Sequence, residues 1–243
     1  MTAEYLLLLA VIAIFSVIQS LFGMGVLVFG TPTLLLMGYD FVTTLSFLLP
    51  ASFAISLLQV ISAGPNRTWP SSYLYLLCLP GIGVGLWMAE ASVLASWTNI
   101  LVGGTLLLSA LVRLWSRPRD LITALLKKNF AIYHLIMGVT HGLTNLGGAL
   151  LAILASATSS DKEVIRNTIA HYYLAFSAVQ MLFLAVVMGL FDTLVANWPM
   201  AGVSAAMYLL IGNRIFFQTS NLVYNSALTV FIALYGFVVL LRL

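Results

Sequence analysis

Long apolar runs, separated by short polar turns, make up most of the chain. A helix that crosses a bilayer needs about 20 apolar residues, and the runs have this length, unlike the alternating ten-residue strands of a membrane β-barrel. Glycine and proline near their ends are typical helix stops. The pattern predicts a loop at 192–199, two long stretches at 4–38 and 130–157, and helices at 41–63, 71–89, 93–115, 163–190, 199–213 and 221–241.

The first long stretch, residues 4–38, exceeds the length of one straight span. Gly23-Met24-Gly25 interrupts it, because glycine lowers helix stability, and Pro32 follows, which removes a backbone donor. We therefore predict two helical pieces, roughly 4–22 and 26–38, that form a broken element.

The second long stretch, 130–157, repeats this plan. Gln19 stands 122 positions before His141, and Gly25 stands the same number before Gly147. We therefore predict an internal duplication, in which each half is a broken element followed by three helices. The first repeat covers residues 1–116, a basic linker covers 117–129, and the second repeat covers 130–243.

The cations indicate how the repeats are oriented, because cytoplasmic loops carry an excess of Lys and Arg. With the linker in the cytoplasm, a broken element that enters and returns on one side places Lys162, Arg166 and Arg214 inside and only Arg242 outside. A crossing element reverses that count. The prediction is an all-α polytopic membrane protein of two inverted repeats, each a broken, re-entrant helix plus three transmembrane helices, a common plan of secondary transporters. Both termini then lie outside.

The composition excludes a soluble protein: 62% of the residues are hydrophobic and 7% are charged, where soluble domains carry about 25% charged residues. A net charge of +3 in so apolar a chain gives no reason to expect a nucleic-acid partner. The single cysteine, Cys78, excludes an internal disulfide and a thiolate metal site. No cofactor, metal or catalytic motif is expected. The apolar N-terminus has no preceding Lys or Arg, so we expect it to stay in the mature protein.

Polar side chains lie at both predicted breaks. A polar group in hydrocarbon is costly unless it is partnered, and unwound backbone at membrane depth is tolerated where it lines a cavity. The helix after each break also offers free N–H groups and a positive dipole end to an anion. Small residues also serve close helix packing, and that alternative stays open for each glycine. The candidate substrate-binding residues are Gln19, Ser20, Gly23, Gly25, Gln59, His141, Thr144, Asn145, Gly147, Gly148, His171 and Gln180.

The residues around the first break resemble the TauE/SafE sulfite exporter family, also called the toluene sulfonate uptake permease group. The resemblance rests on Phe22-Gly23-Met24-Gly25, Pro32 and the turn Gly38-Tyr39-Asp40 that leads into a Thr-containing helix start, with Leu146-Gly147-Gly148-Ala149 as the second copy. The second copy lacks the proline, and Leu154 stands in its place. The resemblance implies transport of a small organic or sulfur-containing anion, such as sulfite, sulfoacetate or a similar sulfonate or carboxylate.

We therefore expect a non-enzymatic secondary transporter in the inner membrane that binds its anion between the two broken helices. Coupling to H⁺ or Na⁺ is open; His141 and His171 are the candidate proton carriers, because the pKa of histidine lies nearest neutrality. A membrane-embedded enzyme and a non-transporting assembly or scaffold protein are the alternatives. Expected partners are the small anion and the lipid bilayer, and a homodimer is left open.

Overall fold

The computed structural model describes residues 3–64, 68–91 and 128–241, with positions 107, 111, 124 and 126 between the last two ranges. Every regular element in these ranges is helical. A π-helical turn, Leu74–Cys78, leads directly into α4, and a second one, Tyr208–Gly212, joins α9 to α10. The helices are α1 Ala3–Phe22, α2 Val26–Leu36, α3 Phe41–Ile61, α4 Leu79–Glu90, α5 Phe130–Thr144, α6 Gly147–Thr158, α7 Lys162–Val186, α8 Phe191–Ala196, α9 Pro199–Met207, α10 Asn213–Gln218 and α11 Asn221–Leu241.

Both predicted breaks are confirmed, between α1 and α2 and between α5 and α6. Two other predictions are wrong. The loop expected at 192–199 contains the short helix α8, whose first turn holds Asp192, a favourable place for an acid. The helix expected to end at 213 continues to Gln218, because the π-helical turn keeps the chain helical past Gly212. The helix predicted at 93–115 and most of the linker predicted at 117–129 lie outside the described residues.

Four helical segments are long and apolar enough to cross a membrane, counting the described residues alone: Glu4–Phe22, Phe41–Ile61, Lys162–Val186 and Pro199–Gln218. Two predicted spans, 71–89 and 221–241, correspond to the shorter apolar segments Leu74–Glu90 and Asn221–Leu234. The first of the four is the opening piece of a broken element. Of the two pieces of the first broken element, α1 is thus long enough to cross a membrane and α2 is not.

The described surface is more apolar, and the interior holds more polar side chains, than in a typical soluble protein. Large apolar side chains are exposed on many helices, with Leu222 at 79% and Ile61 at 70% of their full accessible area. Polar side chains such as Ser52, Ser56 and Gln19 are fully buried. A surface of this kind is stable against lipid rather than water. The chain is an all-α polytopic membrane protein.

The described helices form two compact units. The first unit contains α1, α2, α3, α7 from Arg166 onward, and α8 to α10; the second contains α4, α5, α6 and α11. Each unit thus takes helices from both predicted repeats. The repeat boundaries at 116 and 130 stay a prediction about chain order.

In the first unit, α2 turns back along α1 instead of continuing its axis. The rings of Phe15 and Phe29 lie 6.3 Å apart, although a straight helix would separate residues fourteen positions apart by about 21 Å. On another face, α1 packs on α9 and the π-helical turn after it. Ser16 and Ser204 share a hydrogen bond of 2.7 Å, and a Cβ added at Gly212 would overlap the Ser20 side chain.

In the second unit, α6 turns back along α5 in the same way. The Tyr133 hydroxyl donates to the Leu150 carbonyl oxygen at 2.7 Å across seventeen positions of sequence. Four glycines bring α4 and α5 into backbone contact: a Cβ added at Gly85, Gly138 or Gly142 would overlap a carbonyl oxygen of the facing helix, and one at Gly81 would lie 3.1 Å from such an oxygen. The pairs Gly81/Gly85 and Gly138/Gly142 have the four-residue spacing of close-packed membrane helices.

Candidate substrate-binding site

The first break is a tight turn that only small residues can form. Gly23 has a left-handed backbone, φ +78°, and its N–H donates to the Gln19 carbonyl oxygen at 2.7 Å, which closes the last turn of α1. Gly25 then lies against α1: an added Cβ would be 2.5 Å from the Gln19 nitrogen and 2.9 Å from the Phe15 carbonyl oxygen. A side chain at Gly23 would be strained, and one at Gly25 would collide with backbone.

The Gln19 side chain, which is fully buried, holds this turn in place. Its Oε1 accepts from the N–H of Val26, the first residue of α2, at 3.1 Å. Its Nε2 donates to the Ser52 carbonyl oxygen and to the hydroxyl oxygens of Ser52 and Ser56 on α3, each at 3.1 Å. Gln19 therefore caps α2 and ties the break to α3. Neither serine was predicted from the sequence, although their spacing of four, followed by Gln59 three positions on, marks one polar face of α3.

Gln59 supports the same turn from α3 and is 2% exposed. Its Nε2 donates to the carbonyl oxygens of Gln19 at 2.9 Å and Ser20 at 3.2 Å, which belong to the last turn of α1. Its Oε1 is buried and has no hydrogen-bond partner among the residues that the structure describes. Leaving a buried acceptor unpaired costs about 1–3 kcal/mol, so this oxygen is unusual in a folded protein.

Arg166 places a buried positive charge at the first break and is 7% exposed. Its Nη1 donates to the Ser20 carbonyl oxygen and to Asn213 Oδ1, each at 3.3 Å, and its guanidinium carbon lies 3.4 Å from the centre of the Phe216 ring. The backbone is close as well, because a Cβ on Gly23 would lie 2.9 Å from the Arg166 carbonyl oxygen. A cation at the C-terminal end of α1 is favoured by the helix dipole.

From the sequence, Arg166 was predicted only as one of the cations that orient the chain. Its burial makes it a poor marker of a cytoplasmic loop, because the positive-inside bias concerns residues in the loops. The signal that could have found it is its place in the apolar stretch 163–190, four positions after Lys162 at the start of α7. A charge within a membrane helix is a functional-site hypothesis by default.

The second break begins with the same left-handed residue and hydrogen bond as the first, but its next helix starts one position earlier, at Gly147. Asn145 is left-handed, φ 61°, and its N–H donates to the His141 carbonyl oxygen at 2.7 Å. A Cβ on Gly147 would lie 2.6 Å from the His141 Cβ and 2.9 Å from the Met137 carbonyl oxygen. The Thr144 hydroxyl donates to the Thr140 carbonyl oxygen at 2.7 Å and accepts from the Leu146 N–H at 3.2 Å.

The equivalence of the two breaks extends residue by residue. Three features of the first break recur 122 positions later at the second. They are the left-handed residue, the glycine that approaches the preceding helix, and the carbonyl oxygen that this glycine approaches. A left-handed residue followed by a close glycine thus occurs twice, once in each unit. What differs is side-chain chemistry: His141 stands at the place of Gln19, and Asn145 at the place of Gly23. Asparagine is one of the few residues other than glycine that adopts this left-handed conformation readily.

The predicted site residues thus fall into two groups. The first unit brings together Gln19, Ser20, Gly23, Gly25 and Gln59, and the second brings together His141, Thr144, Asn145, Gly147 and Gly148. His171 and Gln180 lie on α7, in the first unit, and both are at least nine-tenths buried. His171 Nδ1 lies 2.9 Å from the Asn167 carbonyl oxygen, one helical turn earlier. As ligands of a substrate, all twelve stay a prediction.

The model of one protein family, sulfite exporter TauE/SafE, matches residues 7–243 of this chain. The chain belongs to the TauE/SafE family. The match takes in both breaks and nearly the whole sequence, in agreement with the resemblance seen around Gly23 and Gly147. No curated protein and no solved structure matches this TauE/SafE chain. Membership makes it a membrane transporter of the sulfite-exporter type.

Proposed function

We propose that this TauE/SafE protein is a secondary transporter that moves a small organic or sulfur-containing anion across the inner membrane as a multi-pass protein. Sulfite, sulfoacetate and similar sulfonates or carboxylates are the substrate class. The observation that carries the proposal is Arg166, a buried guanidinium at a helix break. Guanidinium groups recognise planar and tetrahedral oxyanions through several N–H donors at once.

The breaks supply what a transport site needs. Each is a helix interruption among buried polar groups, and in secondary transporters such interruptions carry substrate and coupling-ion sites. The duplicated turn fits the alternating exposure of two related elements. That one anion contacts both breaks stays a prediction from the sequence.

Transport by purified protein in liposomes, with radiolabelled sulfite and sulfoacetate, tests the proposal. We expect saturable uptake that Arg166→Gln lowers at least tenfold, because a charge-assisted hydrogen bond is worth about 1.5–3 kcal/mol. Arg214→Gln is the matched control: it removes the same charge from an exposed position on α10 and should leave uptake unchanged. Size-exclusion profiles establish that both variants fold.

The same assay separates the alternatives. A membrane-embedded enzyme would return a chemically altered anion, whereas a transporter returns sulfite unchanged from the liposome interior. A scaffold protein would show no uptake above that of empty liposomes. Either result would refute the proposal.

The coupling ion is part of the proposal: H⁺, carried by His141 or His171. Histidine is the side chain whose unperturbed pKa lies closest to neutral pH. Uptake should respond to an imposed proton gradient and not to a sodium gradient, and His141→Ala or His171→Ala should abolish that response while anion binding persists. A response to sodium alone would exclude proton coupling.

A further inference from the structure

We propose that the first break selects anions that also carry a hydrogen-bond donor, a hydroxyl or N–H group, and that Arg166 and Gln59 are the pair that selects them. The inference rests on the proposed function and specifies its substrate further. Arg166 supplies the positive charge, and the unpartnered Oε1 of Gln59 supplies an acceptor that the ligand must satisfy.

The orientation of the Gln59 amide is fixed by its surroundings. Its nitrogen faces two carbonyl oxygens, those of Gln19 and Ser20. Turning the amide over would set oxygen against oxygen and lose both hydrogen bonds, because an amide oxygen only accepts. The unpartnered atom is therefore an acceptor, and only a donor can pair with it.

Arg166 and Gln59 converge on one atom. Both donate to the Ser20 carbonyl oxygen, Gln59 Nε2 at 3.2 Å and Arg166 Nη1 at 3.3 Å. Because both nitrogens bond to the same oxygen, the distance between Gln59 Nε2 and Arg166 Nη1 cannot exceed the sum of the two hydrogen-bond lengths. Gln59 Oε1 is therefore also near the guanidinium, since it belongs to the same amide group as Nε2. A small anion with a two-carbon chain is long enough to reach from the guanidinium to that oxygen.

The two groups make opposite demands on a ligand. A guanidinium has five N–H donors and attracts an oxyanion. Gln59 Oε1 carries a partial negative charge and repels an oxyanion. An anion with acceptor oxygens alone leaves Oε1 unpaired, whereas an anion with a hydroxyl or amine at its far end satisfies both groups. A site with a buried polar group rejects ligands that cannot pair with it.

Three sulfonates of equal charge test the selection. They are 2-hydroxyethanesulfonate, which has the donor, ethanesulfonate, which lacks the hydroxyl, and 2-methoxyethanesulfonate, which keeps the oxygen but not its hydrogen. Affinities for the full-length protein in detergent are measured by titration calorimetry and by thermal stabilisation, since ligand binding raises apparent stability. We expect the hydroxyl compound to bind about tenfold more tightly than the other two, because one buried hydrogen bond is worth about that factor.

The outcomes separate this inference from the proposed function. Equal affinity for all three sulfonates would overturn the inference and leave the proposed function standing. Failure of all three to bind would overturn the sulfonate assignment and the inference with it. Gln59→Met should reduce the binding of the hydroxyl compound to that of ethanesulfonate, and Gln218→Met, at an exposed position of α10, is the matched control. If Gln59→Met does not fold, the comparison of hydroxyl and methoxy compounds on the unaltered protein still decides.

Discussion

Replacing Gly85 by alanine should force α4 and α5 apart, whereas the same change at Gly83 should not. A Cβ on Gly85 would overlap the Val139 carbonyl oxygen and lie 2.8 Å from the Leu143 nitrogen and 2.9 Å from the Gly142 Cα. These are backbone atoms of the facing helix, which no rotamer change can move. Around a Cβ on Gly83, no atom from another part of the described chain lies within 4 Å.

The magnitude follows from the difference between the two variants. Exchanging glycine for alanine inside a helix gains roughly 0.5–1 kcal/mol by itself, and this gain is common to Gly83→Ala and Gly85→Ala. Overpacking a well-filled contact costs typically 1–3 kcal/mol. We therefore expect Gly83→Ala to be neutral or slightly stabilising, and Gly85→Ala to be less stable than Gly83→Ala by about 1–3 kcal/mol.

Unfolding in detergent micelles, followed by circular dichroism against temperature and denaturant, measures this difference. Transport should follow it, because Gly142, which faces Gly85, is the residue next to His141 in the second break. If the two variants unfold within about 0.5 kcal/mol of each other, which is the usual range of a surface substitution, the glycine contact does not hold α4 to α5 and the reasoning is refuted.

Three further predictions use the same unfolding assay. Gly23 and Gly38 both have left-handed backbones, φ +78° and +93°, but among the described residues a Cβ would meet a neighbour at Gly23 and none at Gly38. Gly23→Ala should therefore be less stable than Gly38→Ala by about 1 kcal/mol or more, and equal stability would contradict that. Gln19→Leu should lower the stability of the protein by about 1–3 kcal/mol, because the buried groups that now bond to the Gln19 amide would lose their partner. Gln218→Leu, at an exposed position, should lower it by far less. Asp40 caps α3, and hydrogen bonds from the first turn of α3 lower its pKa below 3.8. Asp40→Ala should therefore lower the free energy of unfolding by about 1 kcal/mol. This loss should be complete above pH 3.8 and should disappear as the pH falls through the lowered pKa of the folded state. A loss of stability that does not depend on pH would contradict a cap by the ionised carboxylate.

The breaks could be predicted from the sequence because their causes are local. A glycine with a left-handed backbone ends a helix wherever it stands, and the spacing of 122 between Gln19 and His141 appears in the sequence without any knowledge of packing. The structure adds that Gly23 and Asn145, which are equivalent, are both left-handed. Asn145 shows how far the pattern reaches: its residue type differs from Gly23, yet its backbone is the same because asparagine tolerates that conformation.

The pairing of helices could not be predicted, because contacts between distant segments leave little trace in local periodicity. α4 packs on α5 through Gly85 and Gly142, which belong to different predicted repeats. Their four-residue spacings are visible in the sequence, but nothing there says which glycine faces which. Arg166 was not predicted as a site candidate for a related reason: a cation near a helix start resembles a loop residue until its burial against Ser20 and Phe216 is known.

The side chains at the two breaks differ in chemistry, and this suits them to different roles. Both breaks share the left-handed residue and the close approach of a glycine, and they differ most in their side chains. At the first break, the Gln19 amide is engaged in capping α2 and in binding α3, so we propose that recognition of the anion falls to Arg166 and to Gln59 Oε1. At the second break, the equivalent position is a histidine, whose ring can take up and release a proton near neutral pH. A sequence comparison alone favours the second break as the seat of specificity, because it adds a histidine and an asparagine. The buried cation argues instead that the anion is recognised at the first break and that the second is the better candidate for proton coupling.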